Sequence, residues 1–205
     1  MNGLPAVLVE AFSDTVLGGN GATVIALTEA APATWMQRVA GSLKQSETAF
    51  LLPRAGEWAL RWFTPRQEVP LCGHATLAAL LALAHWGELA QGAGVVFHTR
   101  SGPLPAALDP NASGLGTIQL PCGSLQPASP PASLEALLEQ RLGAGVEGFW
   151  QSAIGYWVAL LPAAAPLASM APLGPELAAE LRRGLVLMQP LETAGAPQLM
   201  GEPAD

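Results

Sequence analysis

Apolar and polar positions recur with two different periods along this chain, and the changes of period divide it into elements. Ala6-Val7-Leu8-Val9-Glu10-Ala11-Phe12 reads as a strand, Gly18-Gly19-Asn20-Gly21 as a turn, and Ala22 to Leu27 as a second strand. A helix is predicted next, because Pro32 stands early and Trp35, Met36, Val39, Ala40 and Leu43 follow at spacings of three and four. Thr48 to Leu52 and Trp58 to Phe63 then form two paired strands around Pro53-Arg54-Ala55-Gly56. In the second of these, Trp58, Leu60 and Trp62 alternate with Ala59, Arg61 and Phe63, so neither face is strongly polar and both are expected to be covered.

From Ala75 to Trp86 the residues are Ala, Leu, Thr, His and Trp, apolar all the way round a helical wheel. A helix without a polar face is a buried helix, so something must wrap it. The candidates are the strands already named and those predicted at Val95 to Thr99, Pro103 to Leu108 and Thr117 to Leu120. Gln126-Pro127-Ala128-Ser129-Pro130-Pro131 has the composition of a linker and places a domain boundary after residue 126. Beyond it, Leu134, Leu137, Leu138 and Leu142 outline an amphipathic helix, Phe149 to Ala153 and Trp157 to Leu161 strands, Glu176 to Arg183 a short helix, and Leu185 to Met188 a further strand. Residues 127–205 contain no second all-apolar helix, so the second domain is expected to be partial: a sheet without a central helix.

Composition narrows the classes of function. Half of the 205 residues are apolar and 12% are charged, which argues for a packed core rather than disorder. The net charge of −7 leaves no excess of Lys and Arg to neutralise phosphates, and so disfavours nucleic acid and anionic membrane surfaces. The longest apolar run, Ala75 to Ala84, is shorter than the roughly 20 residues a membrane helix needs. Two cysteines, Cys72 and Cys122, make no disulfide framework, and Met1 to Glu10 has no signal-peptide pattern. A cytoplasmic protein with a small-molecule substrate is the expectation.

Candidate chemistry gathers in two places. Ser46-Glu47-Thr48 lies between a helix and a strand, where a part-buried carboxylate serves as a general base, or simply faces water. Cys72-Gly73-His74-Ala75-Thr76 opens the all-apolar helix. Amide groups there can hold a carboxylate, Gly73 allows close approach, and His74 can move a proton near neutral pH or be satisfied by backbone or water. Cys72 is either a thiolate base or a small buried residue. Gly19-Asn20-Gly21 lacks the P-loop pattern and is read as a turn, and no metal-spaced His/Cys/Asp cluster is seen: His85 and His98 stand apart.

Taken in order, several segments resemble the phenazine-biosynthesis PhzF-like family: Glu10-Ala11-Phe12, Gly19-Asn20 with Ala22 to Val24, Met36-Gln37, Ser46-Glu47-Thr48-Ala49-Phe50, Arg61-Trp62-Phe63-Thr64-Pro65, and Glu68 to Thr76. The resemblance is sharp over about residues 1–120. It implies an α+β, diaminopimelate-epimerase-like fold: two similar domains, each a curved mixed sheet around a central helix. It also implies an isomerase without a cofactor or metal, with Glu47 as catalytic acid/base, His74 beside it, and Asn20, Ser46, Cys72, Gly73, Ala75 and Thr76 binding a small carboxylate-bearing metabolite. The chain departs from the pattern in three ways. Gly21 replaces a Pro, Lys44-Gln45 replaces Asn-Leu, and the second-domain motif Glu-Asp-Pro-x-Thr-Gly-Ser is missing, so weak or absent turnover is expected of these 205 residues. Two other readings stand beside this one. One is a racemase or epimerase using Cys72, with Cys122 the only other thiol. The other is a catalytically silent binding protein whose apolar strands in 145–191 are covered in a homodimer.

Overall fold

The computed structural model describes residues 3–15, 17–121, 123–143, 145–153, 155–167 and 184–190. Two compact units divide the chain, residues 1–121 and 122–205.

In the first unit, β1 (Ala6–Ala11), β2 (Asn20–Ala26), β3 (Glu47–Arg54), β4 (Glu57–Phe63), β6 (Gly94–Thr99), β7 (Gly102–Leu108) and β8 (Gly116–Ile118) lie side by side in that order, with β5 (Glu68–Val69) paired to β4. The sheet is mixed. β2–β3 and β4–β6 are parallel, and each of these pairs is joined by a helical crossover, α1 (Ala33–Leu43) for the first and α2 (Gly73–His85) for the second. The remaining pairs are antiparallel.

Side-chain alternation sends the two helices to opposite faces of this sheet. On β3, Ala49 and Leu51 join Ala22, Val24, Leu60 and Trp62 around α2, while Phe50 joins Ile25, Leu27 and Phe63 against Met36 and Ala40 of α1. Phe50 stacks edge-on with Trp35 and Phe63, at centroid separations of 6.1 and 5.6 Å. The all-apolar helix is buried as its composition requires: Ala75, Ala78, Ala79, Leu80, Ala82 and Leu83 are fully shielded by β1, β2 and β3 and by β7 and β8. Each such leucine contributes about 2 kcal/mol of burial. Gly116 of β8 fits only because it lacks a side chain, since a Cβ there would lie 2.6 Å from Leu80 Cδ2.

Several boundaries differ from those expected. β2 begins at Asn20, so Asn20 and Gly21 are not turn residues but pair with Ala11 and Glu10. β3 runs through Pro53 and Arg54, because the hairpin turns only at Ala55 and Gly56, both with positive φ.

In the second unit, β12 (Gly184–Met188), β11 (Tyr156–Leu160), β10 (Gly148–Ser152) and β9 (Leu125–Pro127) form another mixed sheet, with β11–β12 parallel. β9 falls where a linker was expected. Its proline sits on an edge strand, where a missing N–H interrupts no ladder. α3 (Ala132–Leu142) is amphipathic: Leu134, Leu138 and Leu142 pack on Phe149, Ala159 and Leu161. This unit therefore has a core of its own, built on an amphipathic helix instead of an all-apolar one. The helix expected at Glu176 to Arg183 lies outside the described residues, as does Cys122.

Candidate active site

α2 starts with its backbone donors open. Cys72 is the N-cap, in extended conformation, and its side chain makes no capping hydrogen bond. The first bond of the helix runs from Thr76 N–H to Cys72 O, 3.1 Å, so the amides of Gly73, His74 and Ala75 have no partner within the helix. The N-terminus of α2 thus carries concentrated partial positive charge.

Glu47 reaches this point from the first position of β3. α1 ends at Lys44, whose backbone is left-handed (φ 57°, ψ 24°) and whose N–H returns to Ala40 O. That turn reverses the chain so that Ser46 and Glu47 enter the sheet beside Gly21 and Ala22 of β2. Ser46 Oγ donates to Gly21 O at 2.8 Å and lies 3.2 Å from both Asn20 Oδ1 and His74 Nε2. Glu47 Oε2 is 3.1 Å from His74 Nε2, and on the other edge of the ring His74 Nδ1 is 3.4 Å from Cys72 Sγ. The imidazole is therefore gripped on both sides, with 12% of its side chain exposed and 18% of the Glu47 side chain.

The electrostatics follow from these contacts. The Cys72 and Glu47 hydrogen bonds, with their charges, push the His74 imidazole up to about 9 against the opposing effect of burial. The His74 hydrogen bond holds the Glu47 carboxyl below its ordinary value, again against burial and with a smaller contribution from Ser46. At neutral pH the pair is a carboxylate facing an imidazolium.

Of the residues expected at the site, the structure brings Asn20, Ser46, Glu47, Cys72, Gly73 and His74 together. Ala75 and Thr76 follow in the first turn of α2, where Ala75 offers its backbone N–H and Thr76 is turned back on the N-cap. Both side chains are fully buried, and the Thr76 hydroxyl and N–H are both spent on Cys72 O. Glu47, Cys72 and His74 each offer a donor atom, all within 4.8 Å of one another. No spacing in the sequence showed this cluster, because Glu47 joins the other two from a distant strand. His98, expected to stand apart, is paired with Glu57, two residues along β4 from its register partner Ala59.

A second set of residues, not anticipated from the sequence, aims the start of α2. Arg61 on β4 makes two 2.8 Å bonds to Glu68, Arg100 approaches the same carboxylate at 3.1 Å, and Ser101 Oγ donates to Pro70 O at 2.7 Å. On the other side, Gln37 of α1 donates to Thr64 O at 2.9 Å. The segment 64–71 is thereby fixed at several points before Cys72. Leu120 closes over Gly73, where a Cβ would sit 3.3 Å from its Cδ1.

A family model described as phenazine biosynthesis-like protein matches residues 9–198. The chain belongs to the phenazine biosynthesis-like protein family. Within reach of that family, it is 43% identical over 103 residues to an uncharacterized isomerase of Halalkalibacterium halodurans, covering 50% of this chain and 39% of that protein. It is 40% identical over 131 residues to an uncharacterized isomerase of Pseudomonas aeruginosa, covering 63% of this chain and 49% of that protein. This family member thus spans about half the length, or less, of these two relatives. Among solved structures, it superposes on a PhzF-family phenazine biosynthesis protein from Enterococcus faecalis with a TM-score of 0.72 and 30% identity, over 90% of this chain and 67% of that one. The fold is accordingly the α+β, diaminopimelate-epimerase-like one that the motifs implied.

Proposed function

We propose that Glu47 and His74 are the base and acid of an isomerase that moves a proton between carbons of a small carboxylate-bearing metabolite. The observation that carries this reading is the 3.1 Å contact between Glu47 Oε2 and His74 Nε2 beside the uncapped N-terminus of α2. The substrate carboxylate is held by the open amides of residues 73–75. Glu47, ionised at neutral pH, takes a proton from an activated C–H, and the electron pair moves into an adjacent π system. The proton is returned at the far end of that system, by Glu47 itself or from the His74 imidazolium, which then recovers the proton held on Glu47. No redox change and no leaving group are involved.

Stereochemistry separates this reading from a racemase. Inverting a carbon centre needs an acid and a base on opposite faces of it, whereas Glu47, His74 and Cys72 form one cluster with their donor atoms within 4.8 Å of one another. A proton that leaves and returns on a single face fits an isomerisation. The isomerase names borne by the relatives support the same class.

The test is solvent exchange. Small β,γ-unsaturated carboxylic acids and α-amino acids would be incubated with the protein in D2O and followed by NMR. Slow conjugation of an unsaturated acid, with deuterium added to one face, is the expected result for these 205 residues, and Glu47→Gln should lower its rate by about 10²–10⁴-fold. Inversion of an α-amino acid that survives Glu47→Gln but not Cys72→Ala would replace this reading with a thiol-based one.

A further inference from the structure

We infer that the cluster of Glu47, Cys72 and His74 is also a binding site for a borderline-soft divalent cation, Zn²⁺ foremost. The three donors are of different kinds, a carboxylate, a thiol sulfur and an imidazole nitrogen, and they already lie within 4.8 Å of one another. Two donors on one tetrahedral zinc ion stand about 3.4–3.6 Å apart, given bond lengths of roughly 2.3 Å to sulfur and 2.0–2.1 Å to nitrogen. Cys72 Sγ and His74 Nδ1 are 3.4 Å apart, the separation of two donors on one such ion, so small side-chain rotations suffice to turn both toward it. With Nδ1 on the ion, the Nε2–H keeps Ser46 Oγ, 3.2 Å away, as its partner, the usual way in which a ligating histidine is held in orientation. Glu47 supplies the third donor by rotation about its own side-chain bonds, and the fourth position is left to water.

The donor set selects the metal. Sulfur disfavours Mg²⁺ and Ca²⁺, which take oxygen ligands, and favours Zn²⁺ and Co²⁺. The positive end of α2 opposes a cation, but a thiolate and a carboxylate together neutralise its charge. Binding requires that the S–H and the imidazolium give up their protons to solvent, so uptake is accompanied by acidification of the medium. Because the ion takes both members of the acid–base pair, it would switch proton transfer off. That consequence rests on the function proposed above, while metal uptake itself does not.

Co²⁺ is the probe, since its bond to sulfur gives a charge-transfer band in the near ultraviolet. The full chain, reduced and stripped of metal, would be titrated with Co²⁺ in mildly alkaline buffer. The expected result is a near-ultraviolet band that saturates at about one equivalent and is abolished by an equal amount of Zn²⁺. Cys72→Ala should remove the band and Cys122→Ala should keep it. Glu47→Gln and His74→Asn should weaken uptake by about tenfold or more. Absence of the band in the unaltered chain overturns the proposal whatever the folding of the variants, and so does a band that persists in Cys72→Ala. The exchange assay in D2O is run without added metal, so its failure and a failure of this proposal are read separately.

Discussion

His74 is held on both edges of its ring, by Glu47 and by Cys72, and the two members of the Glu47–His74 pair respond to pH in opposite directions. Its folded value of about 9 lies above the ordinary 6.5, so the stability it contributes is complete below about 6.5 and is lost as pH rises through 9. Glu47 lies below its ordinary 4.5, so its contribution is present above that value and is lost as pH falls through the lowered one. The gap in melting temperature between the parent chain and His74→Asn should therefore be widest between about pH 4.5 and 6.5 and narrow above about pH 9. Thermal melts across that range measure it, and a gap of constant width would show that the contact is not formed. At this scale the sequence picks out residues that the fold brings together and misses how they are held. Ser46, Glu47, Cys72 and His74 stand in short motifs that can be read directly. Arg61, Arg100 and Ser101, which aim the segment before Cys72, are ordinary residues until the sheet places them beside Glu68 and Pro70.

Among the elements, the end of α1 is the one most visibly out of keeping with its sequence. Lys44 occupies a left-handed position that a side chain with a Cβ resists, by about 1–2 kcal/mol, and that Asn tolerates better. Asn is also what the family resemblance carries there. Lys44→Asn should stabilise the chain by about 0.5–1 kcal/mol, read as a higher midpoint in urea. A lower midpoint would mean that the lysine side chain has a role beyond the turn. Most elements of the first unit were legible, the strands from apolar runs bounded by turn residues and α2 from having no polar face at all, whereas the two residues of β5 are too few to carry a pattern. β9 was not legible, because three residues with one apolar side chain have no period to detect, and only pairing with β10 makes them a strand. The hairpin between β3 and β4 was placed too early because Pro53 suggests a turn, while the chain turns at the positive φ of Ala55 and Gly56.

For the whole molecule, the first unit contains a complete core, since every strand around α2 lies within residues 1–121. Expressed alone, residues 1–121 should melt cooperatively with the circular dichroism of a mixed α/β structure, whereas residues 1–90 should not. A non-cooperative melt of 1–121 would show that this core depends on the rest of the chain. The order of elements around α2 also matters during synthesis. The helix leaves the ribosome before β6, β7 and β8, so Leu80 and Leu83 lack Phe97, Leu104 and Leu108 until the later hairpin has been translated. During that interval the nascent polypeptide displays a greasy cylinder with no polar side to turn outward. It is an attractive client for ribosome-associated chaperones, and a pause in elongation just after residue 90 would be the most hazardous place for this protein to stall.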